Sequence, residues 1–135
     1  MSEKEVVSIY QSFSSEMKLW NDKFYILMEE SAANHRKQVV HELIPIFDRY
    51  VWEDAKRRDE RLVSPSTEDP CDYDPETNTI EKIESSESDF VIFIQTHSGL
   101  ENLFRYTFKK RNENWKLSRR DIFLETKKKW MLHHI

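Results

Sequence analysis

The chain contains one cysteine, Cys71, which is the first residue to consider as a catalytic nucleophile. A thiolate nucleophile needs a base such as His35, His41 or His97 within hydrogen-bond reach, and a further residue that orients the base. The sequence shows no such arrangement. Cys71 stands beside Asp72 in an acidic run, and neighbouring carboxylates disfavour the thiolate. We therefore predict that Cys71 is an unreactive loop cysteine.

The alternating carboxylates Asp72, Asp74 and Glu76 resemble the first ligand positions of a calcium-binding loop. That loop requires a glycine where this chain has Thr77, so the match fails. The adjacent histidines His133-His134 are the other candidate metal ligands, and we expect them to be solvated on a C-terminal tail. The sequence predicts no metal site.

Charge is distributed unevenly, although the net charge is only −4. Nine acidic residues and one lysine lie between Glu68 and Asp89, whereas ten lysines or arginines and four acidic residues follow from Glu101 onwards. A charge run is usually a solvated face, but a carboxylate-rich loop can also steer association with a basic partner. The acidic run is therefore the first candidate for a binding surface.

Two basic runs, Lys109-Lys110-Arg111 and Lys127-Lys128-Lys129, have Tyr106, Trp115 and Trp130 nearby for stacking on bases. The first run flanks an expected hairpin turn, where charged residues are common, and the second precedes a tail or short helix. The whole chain is mildly acidic as well. We therefore predict no nucleic-acid partner.

The length of 135 residues fits a single domain, which we assign to residues 1–135. Aromatic residues make up 13% of the chain, enough to drive folding although 34% of the residues are charged. No run approaches the roughly 18 apolar residues of a membrane span, and the first residues lack a secretory pattern. A lone cysteine suits a reducing compartment, so we expect a cytoplasmic protein that does not associate with membranes.

Residues 1–52 are predicted to be helical. The first helix is indicated by an apolar stripe at three- and four-residue spacing. This stripe comprises Val6, Tyr10, Phe13, Met17, Trp20, Phe24 and Leu27. Small polar residues at 31–34 predict a break, and a second stripe follows at Val40, Leu43, Ile44, Phe47 and Tyr50. Pro45 lies within that stripe and predicts a kink or a restart near Ile44.

The periodicity changes after residue 52. Residues 53–79 contain three prolines among acidic residues and are predicted to be a loop. Residues 80–124 alternate with a period of two, which predicts about four antiparallel strands joined by turns, with Phe90–Thr96 as a central strand. Residues 125–135 are expected to be a tail or a short helix. Helices followed by strands indicate an α+β fold.

The order of four segments resembles one protein family. These are Met17-Lys18-Leu19-Trp20, Ile46-Phe47-Asp48-Arg49-Tyr50, Tyr73-Asp74-Pro75-Glu76, and residues 104–110 followed by Trp115-Lys116-Leu117. The chain is similar to immunity proteins of the nuclear transport factor 2-like fold, which are encoded beside bacterial polymorphic toxins, including the rearrangement-hotspot type. The family often has Asn-Gly at the turn before Trp115, where this chain has Asn112-Glu113-Asn114.

The resemblance implies a cone of two N-terminal helices packed on a curved antiparallel sheet. It also implies that the chain binds and neutralises a cognate toxin domain without a cofactor. We predict that the interface includes carboxylates of the acidic run and one aromatic residue. These residues are Glu68, Asp69, Asp72, Tyr73, Asp74 and Glu76.

Two alternatives come from relatives of the same fold, and the first is a small-molecule enzyme or ligand-binding domain that uses the cone cavity. Ketosteroid isomerase-like members are enzymes with an aspartate base and tyrosine or aspartate hydrogen-bond donors. The residues that could line such a cavity here are Tyr10, Tyr25, Tyr50, Asp48 and Asp121. Aromatic residues at helical spacing are more typical of a core, so we predict no catalytic residue. The second alternative is a homodimeric scaffold that uses the exposed sheet face.

Overall fold

A long helical segment begins the fold in a computed structural model that describes residues 2–135. Helix α1 spans Ser2–Tyr50 and is broken at Ser31, whose backbone is extended (φ −165°, ψ 100°). The Ser31 hydroxyl oxygen accepts a hydrogen bond from the Asn34 backbone N–H at 3.3 Å, as an N-cap residue does. The predicted break at residues 31–34 is confirmed, and α1 consists of a first arm (residues 2–30) and a second arm (residues 32–50).

The two arms pack side by side in opposite directions. The Trp20 indole N–H donates to the Val39 carbonyl oxygen at 2.9 Å, and the Lys23 ammonium lies 2.7 Å from the Glu42 carboxylate. The first six stripe residues of the first arm are buried as predicted, and Leu27 is partly buried.

The second arm is rotated relative to our prediction. Val39 and Ile46 are buried in place of Val40 and Ile44, and Ile44 is 40% exposed. The apolar residues of this arm cover a wider arc than the face that meets the core, so their spacing alone does not determine which of them are buried. The helix also continues through Pro45 to Tyr50, so the alternative of a restart near Ile44 was wrong.

The sheet has five strands rather than about four. They are β1 (Thr79–Ser85), β2 (Asp89–Gln95), β3 (Leu103–Arg111), β4 (Asn114–Leu124) and β5 (Lys129–His133). All neighbours are antiparallel in the order β1-β2-β3-β4-β5. The inner face packs on α1 through alternate buried residues such as Ile92, Tyr106 and Leu117. As expected, the strand that begins near Phe90 is paired on both sides.

The prediction of a tail or short helix at residues 125–135 was wrong, because Lys129–His133 forms β5. Trp130 holds this segment on the sheet, because its ring packs edge-on against the rings of Phe93 and Phe123, with centroid distances of 5.7 Å and 5.3 Å. The segment predicted as a loop also contains the short helix α2 (Arg58–Val63). No helix among residues 2–135 combines the length and apolar character required to cross a bilayer.

The turn between β3 and β4 gives a stability prediction. Asn112 and Glu113 both have positive φ, at 50° and 69°, which is the conformation of a two-residue hairpin loop that favours glycine at its second position. Replacing Glu113 by Gly should raise the free energy of unfolding by about 1 kcal/mol, because a left-handed conformation is costly for a residue with a Cβ atom. Urea denaturation measures the change.

Glu113→Ala is the matched control. It removes the same carboxylate, which lies 3.3 Å from the Lys110 ammonium, but it keeps the Cβ atom. An equal gain in the alanine variant would show that charge, and not backbone conformation, limits the stability of this turn.

Candidate functional site

The segment between α2 and β1, residues 64–78, is here called the acidic loop, and it is fixed against both layers of the fold. On the helical side, the Asn21 side-chain amide exchanges two hydrogen bonds with the Glu68 backbone, each 2.9 Å long. On the sheet side, Pro70 packs on Gly99, which has φ +62°. A Cβ atom at Gly99 would lie 2.6 Å from the Pro70 Cγ atom, so only glycine permits this approach.

Tyr73 anchors the acidic loop from inside. It is 3% exposed, and its ring packs edge-on against Phe13 at 5.4 Å and Tyr106 at 6.4 Å. Burial raises the pKa of its hydroxyl. Tyr73 is thus part of the core, and in this conformation its ring is not available as a surface contact.

Arg120 occupies the interior behind the loop and is fully buried. Its guanidinium donates to the His134 carbonyl oxygen at 2.9 Å and to the Tyr106 hydroxyl at 3.3 Å, and it lies 4.4 Å from the centre of the Phe104 ring. It also lies 3.6 Å from the Asp72 carboxylate, which is 17% exposed. Asp72 therefore faces inward and ties the acidic loop to β4.

The last residues of the chain complete this polar interior. Buried Arg61 on α2 donates to the Ile135 main-chain oxygen at 2.5 Å, and Ile135 itself is buried. Burial, with a contribution from the positive charge of Arg120, lowers the pKa of His134 to about 3. His133 and His134 are half-buried and not solvated on a tail. Among residues 2–135, no group of three or more histidine, cysteine or acidic side chains is arranged to hold a metal ion.

The other residues predicted to bind a partner form the outer side of the acidic loop. Glu68, Asp69 and Glu76 are exposed, and Asp74 is partly exposed. The Asp74 carboxylate accepts a hydrogen bond from the Glu76 backbone N–H at 3.1 Å, which shapes the turn before β1. The pKa of Glu68 is raised to about 7. The main cause is partial burial of its carboxyl group, and the second is the nearby Asp72 carboxylate.

Cys71 lies on the inner side of the same loop and is buried. Burial raises the pKa of its thiol to about 12, so the thiolate is scarce at neutral pH. This environment supports the prediction of an unreactive cysteine.

The residues considered for a catalytic cavity are not brought together. Tyr10 is buried in the core, whereas Asp48 lies on the surface beside Arg58. Asp121 lies on the sheet face away from α1, where Arg119 and Arg105 contact its carboxylate at 2.8 Å and 3.4 Å. Tyr25 and Tyr50 are partly exposed on the two arms of α1. An acid–base pair therefore does not assemble from this set.

The first basic run is engaged in ion pairs. Lys109 lies 3.1 Å from Asp89, and Arg111 lies 2.8 Å from Asp54. Each of these cations is balanced by a neighbouring carboxylate within the same molecule. The run is therefore not a free basic patch, and the absence of a nucleic-acid partner stays a prediction.

A broken helical hairpin on a curved five-stranded meander defines a protein of the nuclear transport factor 2 fold class. Residues 5–134 match the family described as NTF2 fold immunity protein, so this chain belongs to that family. Among curated proteins, it is similar to immunity protein RhsIA of Dickeya dadantii (strain 3937), with 23% identity over 128 residues that cover 94% of this chain and 93% of that protein. No solved structure gives a significant match.

These findings confirm the predicted fold class and family. They also identify the function as immunity, the neutralisation of a toxin.

Proposed function

We propose that this chain neutralises its cognate toxin by forming a one-to-one complex in the cytoplasm, with the outer side of the acidic loop in the interface. The chain blocks the toxin by covering part of its surface and carries out no chemical step, so it acts as a binding protein and not as an enzyme. A specific complex of this kind buries about 1,600 Å² in total.

The observation that carries the proposal is a loop that is anchored to both layers of the fold and whose outer carboxylates form no ion pair in the part of the chain that the structure describes. Within residues 2–135, Glu68, Asp69, Asp74 and Glu76 form no ion pair, whereas Asp72 is paired with Arg120. A toxin that acts on a polyanion such as nucleic acid has a basic substrate channel, and unpaired carboxylates steer association with such a surface.

The six predicted residues then have two different roles. Glu68, Asp69, Asp74 and Glu76 are proposed to contact the toxin directly. Asp72 and Tyr73 are proposed to act from beneath by holding the loop in its binding conformation. A loop that is already ordered loses less conformational entropy on binding than a mobile one.

The direct test is co-expression with the toxin domain encoded by the neighbouring reading frame. We expect the chain to restore growth, and titration calorimetry with a catalytically inactive form of the domain should give one-to-one binding. Absence of both rescue and binding would overturn the proposed function.

The loop assignment gives a separate prediction. Replacing Glu68 by Gln together with Asp69 by Asn should weaken toxin binding about tenfold at low salt, mainly through slower association, because two steering charges are lost. The measurement is surface plasmon resonance at pH 8, where Glu68, with its pKa of about 7, is ionised. The difference should shrink at 1 M salt, where screening is strong.

The matched control is Glu84→Gln with Glu87→Gln. Both residues are exposed and belong to the same acidic run, but Glu84 lies on β1 and Glu87 in the turn that follows it. This variant has the same net charge as the loop variant. An equal loss of affinity in both would show that net charge, and not the acidic loop, governs binding.

A further inference from the structure

A groove of about 600 Å³ lies between the first arm of α1 and the acidic loop. Its lining residues are Ser15, Lys18, Leu19, Asp22, Asp74, Pro75 and Glu76. One wall is therefore a helix, and the other is the part of the acidic loop that immediately precedes β1.

Leu19 is an apolar ridge on the helical wall. It is 72% exposed, whereas its neighbours Met17 and Trp20 are buried in the core. Leu19 also lines a second groove, of about 420 Å³, between the two arms of α1. Single exposed leucines are common on protein surfaces, but this one separates two concave surfaces, and apolar anchors at interfaces dock in such places.

The charges on the two walls are not balanced. Lys18 lies 2.6 Å from the Asp22 carboxylate, so these two residues neutralise each other. Asp74 and Glu76, on the opposite wall, form no ion pair with any residue in the range 2–135. The groove thus presents one exposed apolar side chain opposite two unpaired carboxylates.

We propose that this groove docks a segment of the toxin domain in which an apolar side chain stands next to lysine or arginine. The inference rests on the proposed function and identifies the chemistry of the contact. The apolar side chain packs on Leu19 and Pro75, and the cation pairs with Asp74 and Glu76. The apolar contact should therefore stabilise the complex at any salt concentration, whereas the ion pairs should weaken as salt is added.

The apolar half is tested with Leu19→Ala. Because Leu19 is largely exposed, its truncation leaves the core intact, and the thermal midpoint should not change. Affinity for the inactive toxin domain should fall about thirtyfold at both low and high salt, as expected for an apolar anchor. Val63→Ala is the control, since Val63 is 59% exposed on α2, and its affinity should match that of the unmodified chain.

The charged half is tested with Asp74→Asn combined with Glu76→Gln. Asparagine retains the oxygen that accepts the Glu76 N–H, so the turn is preserved while both charges are removed. Affinity should fall about tenfold at low salt and recover towards that of the unmodified chain at 1 M salt.

If Leu19→Ala and the Asp74/Glu76 variant both bind within twofold of the unmodified chain, the groove is not part of the interface and the inference is overturned. The proposed function would still hold, because the unmodified chain binds and rescues growth. If Leu19→Ala instead abolishes self-association in sedimentation experiments and leaves toxin binding intact, a second copy occupies the groove and the inference is equally overturned.

Discussion

Replacing Arg120 by methionine should lower the free energy of unfolding by about 3 kcal/mol, which is the cost of breaking a buried ion pair from one side. The variant leaves the Asp72 carboxylate and the Tyr106 hydroxyl without their partner in the interior. Urea denaturation at neutral pH measures the loss. The acidic loop should also become more accessible to proteases, because Asp72 no longer ties it to β4.

Two further variants serve as comparisons for Arg120→Met. Arg120→Lys keeps the charge but cannot reach several acceptors at once as the planar guanidinium does, so its loss should be intermediate. Arg111→Met removes an arginine from an exposed pair with Asp54 and should change stability little. A loss below 1 kcal/mol in Arg120→Met would show that the buried guanidinium contributes little to the fold.

Replacing Phe13 by alanine should cost about 4 kcal/mol, as is typical when a buried aromatic ring leaves a cavity. Phe13 is fully buried and packs on Tyr50 at 5.8 Å and on Tyr73 at 5.4 Å. It therefore joins both arms of α1 to the acidic loop. Calorimetric unfolding measures the effect, and toxin affinity should fall as well because Tyr73 loses its support.

Leu19→Ala is the natural comparison on the same helix. It removes an apolar side chain that is 72% exposed, so it should leave the free energy of unfolding nearly unchanged while it weakens binding. Equal destabilisation by the two variants would contradict the assignment of Phe13 to the core and Leu19 to the surface.

The helices and the strand order follow from patterns that the sequence carries locally. The apolar residues from Val6 to Phe24 lie on a single face of the helix, so their spacing determines which face is buried. The alternation of Phe104, Tyr106 and Phe108 likewise assigns each residue of β3 to one face of the sheet. The second arm lacks this property, because its apolar residues cover a wider arc than the face that is buried. Its inward face is selected by contact with the first arm and the sheet.

The role of Arg120 could not be predicted, because a β-bulge changes the alternation of β4. Trp115 and Leu117 point inward, and regular alternation would place Arg119 and Asp121 inward as well. The register shifts opposite Thr107 and Phe108, so that Arg120 pairs with Tyr106 and faces the core. Asp121 is thereby turned to the other face. An extra residue in one strand leaves no clear signal in the sequence.

The acidic loop shows the same limit. Its composition indicates exposure, and most of its carboxylates are exposed. Tyr73 and Asp72 are exceptions because the interior holds a cluster of edge-on aromatic rings and a buried cation, which only the tertiary structure brings together. The sequence predicts this loop as a binding surface, which stays a prediction, and it could not separate the inner residues of the loop from the outer ones.

The strand order also has a consequence for synthesis on the ribosome. Every strand pairs with its neighbour in the chain, so the sheet can form one hairpin at a time with short loop closures, which favours rapid folding. Helix α1 ends at Tyr50, long before β4 begins at Asn114. Translation proceeds at roughly 5–20 residues per second, so the apolar face of this helical hairpin stays exposed for seconds before β4 is synthesised. We therefore expect chaperones to bind the nascent chain until β4 emerges.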